Sequence, residues 1–205
     1  MKDLVILVAD KNIEWTLKGI FSRPQALSIY SIKPDIYVDY RRDPGCFTYG
    51  HDFLRPFLNS HNNALILFDR HGCGQEKRTR EELEQEVETR LKQSGWKEHY
   101  VDVIVLDPEL EIWVWSNSPH VATTLGWDEQ TTHLKEWLIQ KNFWQVDQIK
   151  PYQPKEALEQ VLRKVGNPRS SALYEDLAKK VSFKHCTDNA FIKLKTTLQR
   201  WFAVR

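Results

Sequence analysis

Short hydrophobic runs in the first half of the chain alternate with stretches of helical periodicity. The runs lie at residues 4–8, 36–38, 64–68 and 101–106. Between them, apolar residues recur every three or four positions, as at Ile13, Leu17, Ile20 and Phe21, and again at Leu83, Val87 and Leu91. Short runs without polar alternation are typical of buried parallel strands, and the wider spacing is typical of amphipathic helices. The first half is therefore predicted to be α/β, with a mostly parallel sheet flanked by helices.

Turn and capping residues set the predicted element boundaries. Pro44 and Gly45 predict a turn at residues 41–45, followed by a short helix around residues 52–58. The segment Thr79-Arg-Glu-Glu82 is a capping-box signature that predicts a helix start, and this helix is expected to end near Gly95.

The second half has helical signals alone. Helices are predicted at residues 134–139, 157–165, 172–181 and 190–202. Pro154 suits the first turn of one helix, Ser170 or Ser171 can cap the next, and Asp188 can cap the last. We expect residues 1–118 to form the α/β core and residues 119–205 a helical C-terminal extension that packs on it as one unit.

Composition narrows the class of protein. The chain has 205 residues, 41% of them hydrophobic, with eight Trp, which is enough for a substantial core. A formal net charge of +1 neither indicates nor excludes a nucleic-acid partner, because a neutral total can hide charged patches. No hydrophobic segment approaches membrane-spanning length, so no membrane association is expected.

Three cysteines are too few and too scattered for a disulfide framework, which favours a reduced, cytoplasmic location. Cys73 lies in the loop after Asp69, and Cys186 directly follows His185. A mixed Cys/His metal site formed by these residues stays open as an alternative.

Acidic residues follow the hydrophobic runs. The run at 64–68 leads into Asp69, and the run at 101–106 leads into a segment with Glu109 and Glu111. Ligand sites in open parallel sheets form outside the carboxyl ends of the strands, and carboxylates there can bind Mg²⁺ or Mn²⁺. Asp69, Glu109 and Glu111 are therefore the candidate metal ligands, with Asp10 in the loop after the first run. Glu109 and Glu111 would share a face if the strand continued through them.

Further candidates surround these acids. His71 is a candidate metal ligand, general acid/base or phosphate contact, although a loop histidine is often only solvated. The candidate catalytic residues are Asp10, Asp69, His71 and Glu111. Basic residues that can line a phosphate-bearing groove for DNA or RNA are Arg42, Lys155, Lys184 and His185. Trp113 and Trp115 are expected to pack between the sheet and the C-terminal helices.

The order of these motifs resembles that of TOPRIM-like proteins of the RloB-related group. Asp69 and Glu111-Ile-Trp113 match that group's central-strand acid and its later Glu-x-Trp strand. Leu173-Tyr174 and Asp188-Asn-Ala-Phe191 match its C-terminal layout, so the resemblance spans most of the chain. The segments around Asp10, Asp43, Asp69 and Glu111 further resemble the TOPRIM-like component of bacterial methylation-associated defence systems. That resemblance implies an anti-phage system whose other subunits carry methyltransferase and effector activities.

Two departures from the family pattern bear on activity. The glutamate expected after the first strand is replaced by Ala9-Asp10, and His71 stands at the second acid of the central pair. Either Asp10 or Glu14 substitutes for the glutamate, or the site is degenerate. Three hypotheses follow: a Mg²⁺-dependent nuclease-like or phosphate-binding subunit, a non-catalytic module that binds partner subunits, and a nucleotide-binding regulator of response-regulator type centred on Asp69.

Overall fold

The computed structural model describes residues 1–127, 131–184 and 186–204, and four parallel strands form its sheet. The strands are β1 (Lys2–Val8), β2 (Asp35–Val38), β3 (His61–Asp69) and β4 (Val101–Leu106). Their order across the sheet is β2-β1-β3-β4. The α/β prediction with a parallel sheet flanked by helices is confirmed.

Helices connect the strands, and the main regular elements in the second half of the described chain are also helices. They are α1 (Lys11–Phe21), α2 (Pro24–Leu27), α3 (Arg42–Leu54), α4 (Arg80–Gln93), α5 (His120–Leu125), α6 (Thr131–Gln140), α7 (Pro154–Val165), α8 (Ser171–Lys180) and α9 (Asn189–Phe202). Short 3-10 turns lie at Arg55–Phe57, Glu98–Tyr100 and Leu110–Trp113. None of the helices in the described residues is long and apolar enough to cross a membrane.

The hydrophobic runs of the sequence form the buried core of the sheet. Every residue from 4 to 8, from 64 to 68 and from 103 to 106 is buried, because helices cover these strands. The chain passes from β1 to β2 on one side and then returns to place β3 on the other side of β1. The carboxyl ends of β1 and β3 therefore meet at the topological switch point, where ligands bind in sheets of this kind.

Two local predictions were wrong. Residues 41–45 do not form a separate turn, because Pro44 and Gly45 lie in the first turn of α3, where a proline costs no hydrogen bond. The helix placed around 52–58 is the end of α3 with a 3-10 turn behind it. Strand β4 ends at Leu106 and does not continue through Glu109 and Glu111, so the condition for a shared face is not met, and Glu111 lies in a 3-10 turn.

The predicted caps are mostly present. Thr79 and Glu82 form the complete capping box at the start of α4, and the Asp188 side chain accepts a bond from the Phe191 amide at 3.0 Å. Ser170 stands at the N-cap of α8, but its side chain makes no capping hydrogen bond.

The C-terminal helices pack on the sheet through buried contacts. On α1, a Cβ at Gly19 would lie 2.6 Å from the Glu175 carbonyl oxygen of α8, so only glycine allows this approach. Trp115 is buried and donates to the Pro154 carbonyl at 2.9 Å, and Trp113 packs edge-on against Phe191. The apolar stripe of α9, including Leu194 and Leu198, is buried within the same core.

Candidate active site at the strand ends

An aspartate stands at the carboxyl end of every strand. Asp39 follows β2, Asp10 follows β1 after one residue, Asp69 ends β3 and Asp107 follows β4. Asp10 and Asp69 are neighbours across the switch point, since Val8 pairs with Leu67 and the Ala9 amide donates to the Leu67 carbonyl. The strand order thus brings together two acids that are 59 positions apart in sequence.

Each of these two carboxylates is oriented by a backbone amide. Asp10 is the N-cap of α1, and its Oδ1 accepts from the Ile13 amide at 2.9 Å. Asp69 Oδ1 accepts from the Leu110 amide at 2.9 Å, which links β3 to the 3-10 turn after β4. Both side chains are therefore fixed in place by the fold before any ligand binds.

Asp43 is a third carboxylate at this edge; it lies in a segment that carries the resemblance but was not among the candidate site residues predicted from the sequence. It lies in the first turn of α3, and its Oδ1 accepts from the Asp69 amide at 2.8 Å. Its Oδ2 faces the glycine loop after β3, 3.7 Å from the position that a Cβ on Gly72 would occupy. An aspartate before Pro44 is also typical of a helix N-terminus, and that signal could have identified it.

Mutual repulsion and burial perturb the acids. Burial, together with the charges of Asp43, Glu111 and Asp10, raises the pKa of Asp69 well above its usual range. Burial and the nearby Asp10 raise the pKa of Asp43 to about 6, although the bond from the Asp69 amide opposes the shift. Burial and Glu111 raise the pKa of Glu109 to about 7. These shifts indicate negative charge that the protein does not fully compensate.

Glu111, by contrast, is compensated from the C-terminal helices. It is 2% exposed, and its Oε1 accepts from the Tyr174 hydroxyl at 2.6 Å and from the Arg169 guanidinium. Arg169 also donates to the Tyr174 oxygen at 2.9 Å and to Glu159 at 3.1 Å. We call Glu111, Arg169 and Tyr174 the Glu111 clamp. Nothing near Arg169 or Tyr174 in the sequence indicates this contact, which spans about 60 residues.

The remaining predicted site residues lie around this centre. Glu109 Oε1 accepts from the Lys155 amide at 3.3 Å. Asp107 pairs with Arg70 at 2.7 Å, outside the group that raises the pKa of Asp69. His71 is exposed, and its backbone amide donates to the Pro108 carbonyl at 2.9 Å. None of these contacts tests the catalytic role suggested for His71.

The predicted metal ligands are near one another without forming a preformed cage. Asp69, Glu109 and Glu111 influence one another electrostatically, but each has an oxygen engaged by a protein donor. Within the described ranges, no three His, Cys, Asp or Glu side chains are grouped closely enough to hold a metal ion.

Two of the four predicted nucleic-acid contacts border the acids. Arg42 is exposed at the start of α3 and acts on Asp43 electrostatically, and Lys155 does the same to Glu109. Lys184 is exposed in the segment between α8 and α9, and His185 lies outside the described residues. The suggested Cys/His alternative also depends on His185; of its cysteines, Cys73 is buried and Cys186 is half-buried.

Comparison with known proteins returned no match. No protein-family model fits the chain, and neither a curated protein nor a solved structure is significantly similar to it.

Proposed function

We propose that this protein is a Mg²⁺-dependent phosphodiester-cleaving or phosphate-binding subunit whose site is built on Asp10, Asp69 and Asp43. The observation that carries the proposal is the meeting of these carboxylates at the β1/β3 switch point, where burial, with added repulsion between the acids, raises the pKa of Asp43 to about 6 and that of Asp69 well above its usual range. A bound dication would relieve this repulsion.

Two carboxylates, Asp10 and Asp69, are a sufficient set of protein ligands for Mg²⁺. Mg²⁺ is commonly held by one or two carboxylates, with water and substrate phosphates completing its coordination, so a cage of three protein ligands is not required. Asp10 and Asp69 are the two residues that would hold it, and Asp43 would add charge beside them. When bound, such an ion activates water and neutralises charge on a phosphate.

A polyanionic partner is supported by the surroundings of the acids. Arg42 and Lys155 flank them, and next to Arg42 the Arg41 guanidinium lies over the rings of Tyr40 and Tyr49 at 4.7 and 4.2 Å. Tyr40 is 84% exposed, so the outer face of this stack is open to a base. DNA or RNA is therefore the partner that we propose for this edge of the sheet.

The motif resemblance suggests a prokaryotic anti-phage system as the setting for this activity, and we include that setting in the proposal. The protein would act in the cytoplasm with other defence subunits, as the TOPRIM-like component of a methylation-associated system. Its own contribution would be nucleic-acid sensing or cleavage.

The test is a calorimetric titration of Mg²⁺ and Mn²⁺ into the wild type and the Asp10→Asn/Asp69→Asn double variant. Asparagine can keep both backbone hydrogen bonds while it removes both charges. Asp107→Asn is the matched control, because Asp107 also lies at the carboxyl end of a strand but pairs with Arg70. We expect binding to be lost in the double variant alone, and cleavage of single-stranded DNA, RNA or duplex to follow the same pattern.

Equal metal binding by the double variant would refute the site. Absence of binding to the wild type, with and without nucleic acid, would refute metal dependence.

A second candidate is a non-catalytic module that keeps the fold and binds partner subunits. Two ion pairs favour it: Arg169 neutralises the charge of Glu111, and Arg70 neutralises that of Asp107. Both acids then have a structural role. A phage challenge of cells with the complete system separates the two candidates. Protection that survives Asp10→Asn/Asp69→Asn supports the module, and protection lost in that variant but kept in Asp107→Asn supports the metal site.

A further inference from the structure

A cavity of about 470 Å³ lies beside Tyr174 of the Glu111 clamp, and none of the strand-end aspartates lines it. Its walls come from α1, from the segment after β4, from α8 and from the start of α9. Protein interiors contain few voids larger than a water molecule, whereas ligand pockets have volumes of about 300–1,000 Å³. The size of this cavity is therefore that of a small-molecule site rather than of a packing defect.

The walls are mainly apolar and aromatic. Trp113, Phe183 and Phe191 line the cavity and are fixed by one another, with ring centroids 5.3 Å apart for Trp113 and Phe191 and 5.2 Å for Phe183 and Phe191. Ile20 and Leu177 contribute aliphatic surface. Rings fixed in this way favour an aromatic ligand body, which they can contact edge-on.

The charges at the cavity have one sign. Lys150 and Lys180 line it, and no Asp or Glu is among the described lining residues. Lys150 donates to the Ile112 carbonyl at 2.8 Å and lies 4.0 Å from Asp188, whereas Lys180 is exposed. We propose that this cavity binds a small molecule with an aromatic body and one anionic group, the body against Trp113 and Phe183 and the anion towards the lysines.

The cavity shares a wall with the strand-end acids. Tyr174 lines it and donates to Glu111, and Leu110 lines it while its amide donates to Asp69. A ligand in the cavity would therefore pack against Leu110, which orients Asp69, and Tyr174, which orients Glu111. The binding site itself does not depend on the proposed metal or nuclease function.

The test uses two fluorescent probes in EDTA: 1-anilinonaphthalene-8-sulfonate, and the neutral N-phenyl-1-naphthylamine, which has the same aromatic body. We expect saturable binding of one sulfonate probe per chain, and a higher unfolding midpoint in its presence. Ser118→Trp places a large side chain at the cavity wall and should weaken both probes about tenfold or more. Lys180→Gln should weaken the sulfonate probe roughly threefold and leave the neutral one unchanged.

Lys179→Gln is the matched control, since Lys179 pairs with Glu175 and does not line the cavity. The unfolding midpoint of each variant without probe shows that it is folded. Non-saturable binding to the wild type, or equal binding by a folded Ser118→Trp, would overturn the cavity as the site. Sulfonate and neutral probes that bind equally well, with no effect of Lys180→Gln, would overturn the preference for an anion.

Discussion

Removing Arg169 from the Glu111 clamp tests whether Glu111 is a structural residue or a metal ligand. In Arg169→Met the Glu111 carboxylate keeps the Tyr174 hydroxyl but loses its cation, and it stays buried beside Asp69 and Glu109. An uncompensated buried charge is strongly destabilising. We therefore expect Arg169→Met to lower the free energy of unfolding.

The size of the expected loss in the free energy of unfolding depends on how exposed the Arg169 side chain is. Breaking a fully buried ion pair costs about 3–5 kcal/mol, but the Arg169 side chain is 30% exposed, so we expect about 2–3 kcal/mol. For a chain of this length that is a fall in the unfolding midpoint of about 4–12 °C. Tyr174→Phe removes a hydrogen bond to a charged group and should cost about 1.5–3 kcal/mol.

The assay is a double-mutant cycle in urea, followed by tryptophan fluorescence. Adding Glu111→Gln to Arg169→Met removes the uncompensated charge, so the double variant should recover about 1–2 kcal/mol relative to Arg169→Met. Arg163→Met is the control, because Arg163 is an exposed arginine on α7 outside the clamp.

The opposite pattern would refute this reasoning. If Glu111→Gln alone left stability unchanged and abolished Mg²⁺ binding, Glu111 would be the metal ligand suggested by the sequence. The clamp would then be a secondary feature of the unliganded site.

Three further predictions concern other contacts. The pKa of Asp43 is about 6 in the folded state, against an ordinary 3.8. The free energy of unfolding in EDTA should therefore fall by up to about 3 kcal/mol as the pH rises from about 4 to about 7. Urea midpoints measured across that range should depend less on pH in Asp43→Asn. Lys193 contacts three carboxylates of α4 and β4 at 2.7 to 3.0 Å, and its side chain is 27% exposed. By the same discount for exposure, Lys193→Met should cost about 2–3 kcal/mol in urea unfolding, and Lys195→Met should cost little. Helix propensity alone would favour Gly19→Ala. We expect this variant to lower the thermal unfolding midpoint instead, because its Cβ would meet the Glu175 carbonyl. A higher midpoint would contradict the close approach of α1 and α8.

Three segments show which features of the structure can be predicted from residues that are close together in sequence. The capping box at Thr79 and the cap at Asp188 were predictable because their partners lie three residues away. The start of α3 was not predicted, because Pro44 and Gly45 are compatible both with a turn and with the first turn of a helix. Alternation of acidic and apolar residues left a strand through Glu109 and Glu111 open, but the same alternation occurs in the 3-10 turn that Glu111 occupies.

The sequence by itself determined that buried strands end in acids, since a hydrophobic run followed by aspartate is a local property. Only the tertiary structure decided which acids act together. The strand order β2-β1-β3-β4 makes Asp10 the neighbour of Asp69, and α3 adds Asp43 through a backbone hydrogen bond. The C-terminal helices remove Glu111 from the uncompensated group by supplying Arg169 and Tyr174. Charge compensation depends on distances between residues far apart in the chain, and those distances are set by how the elements pack.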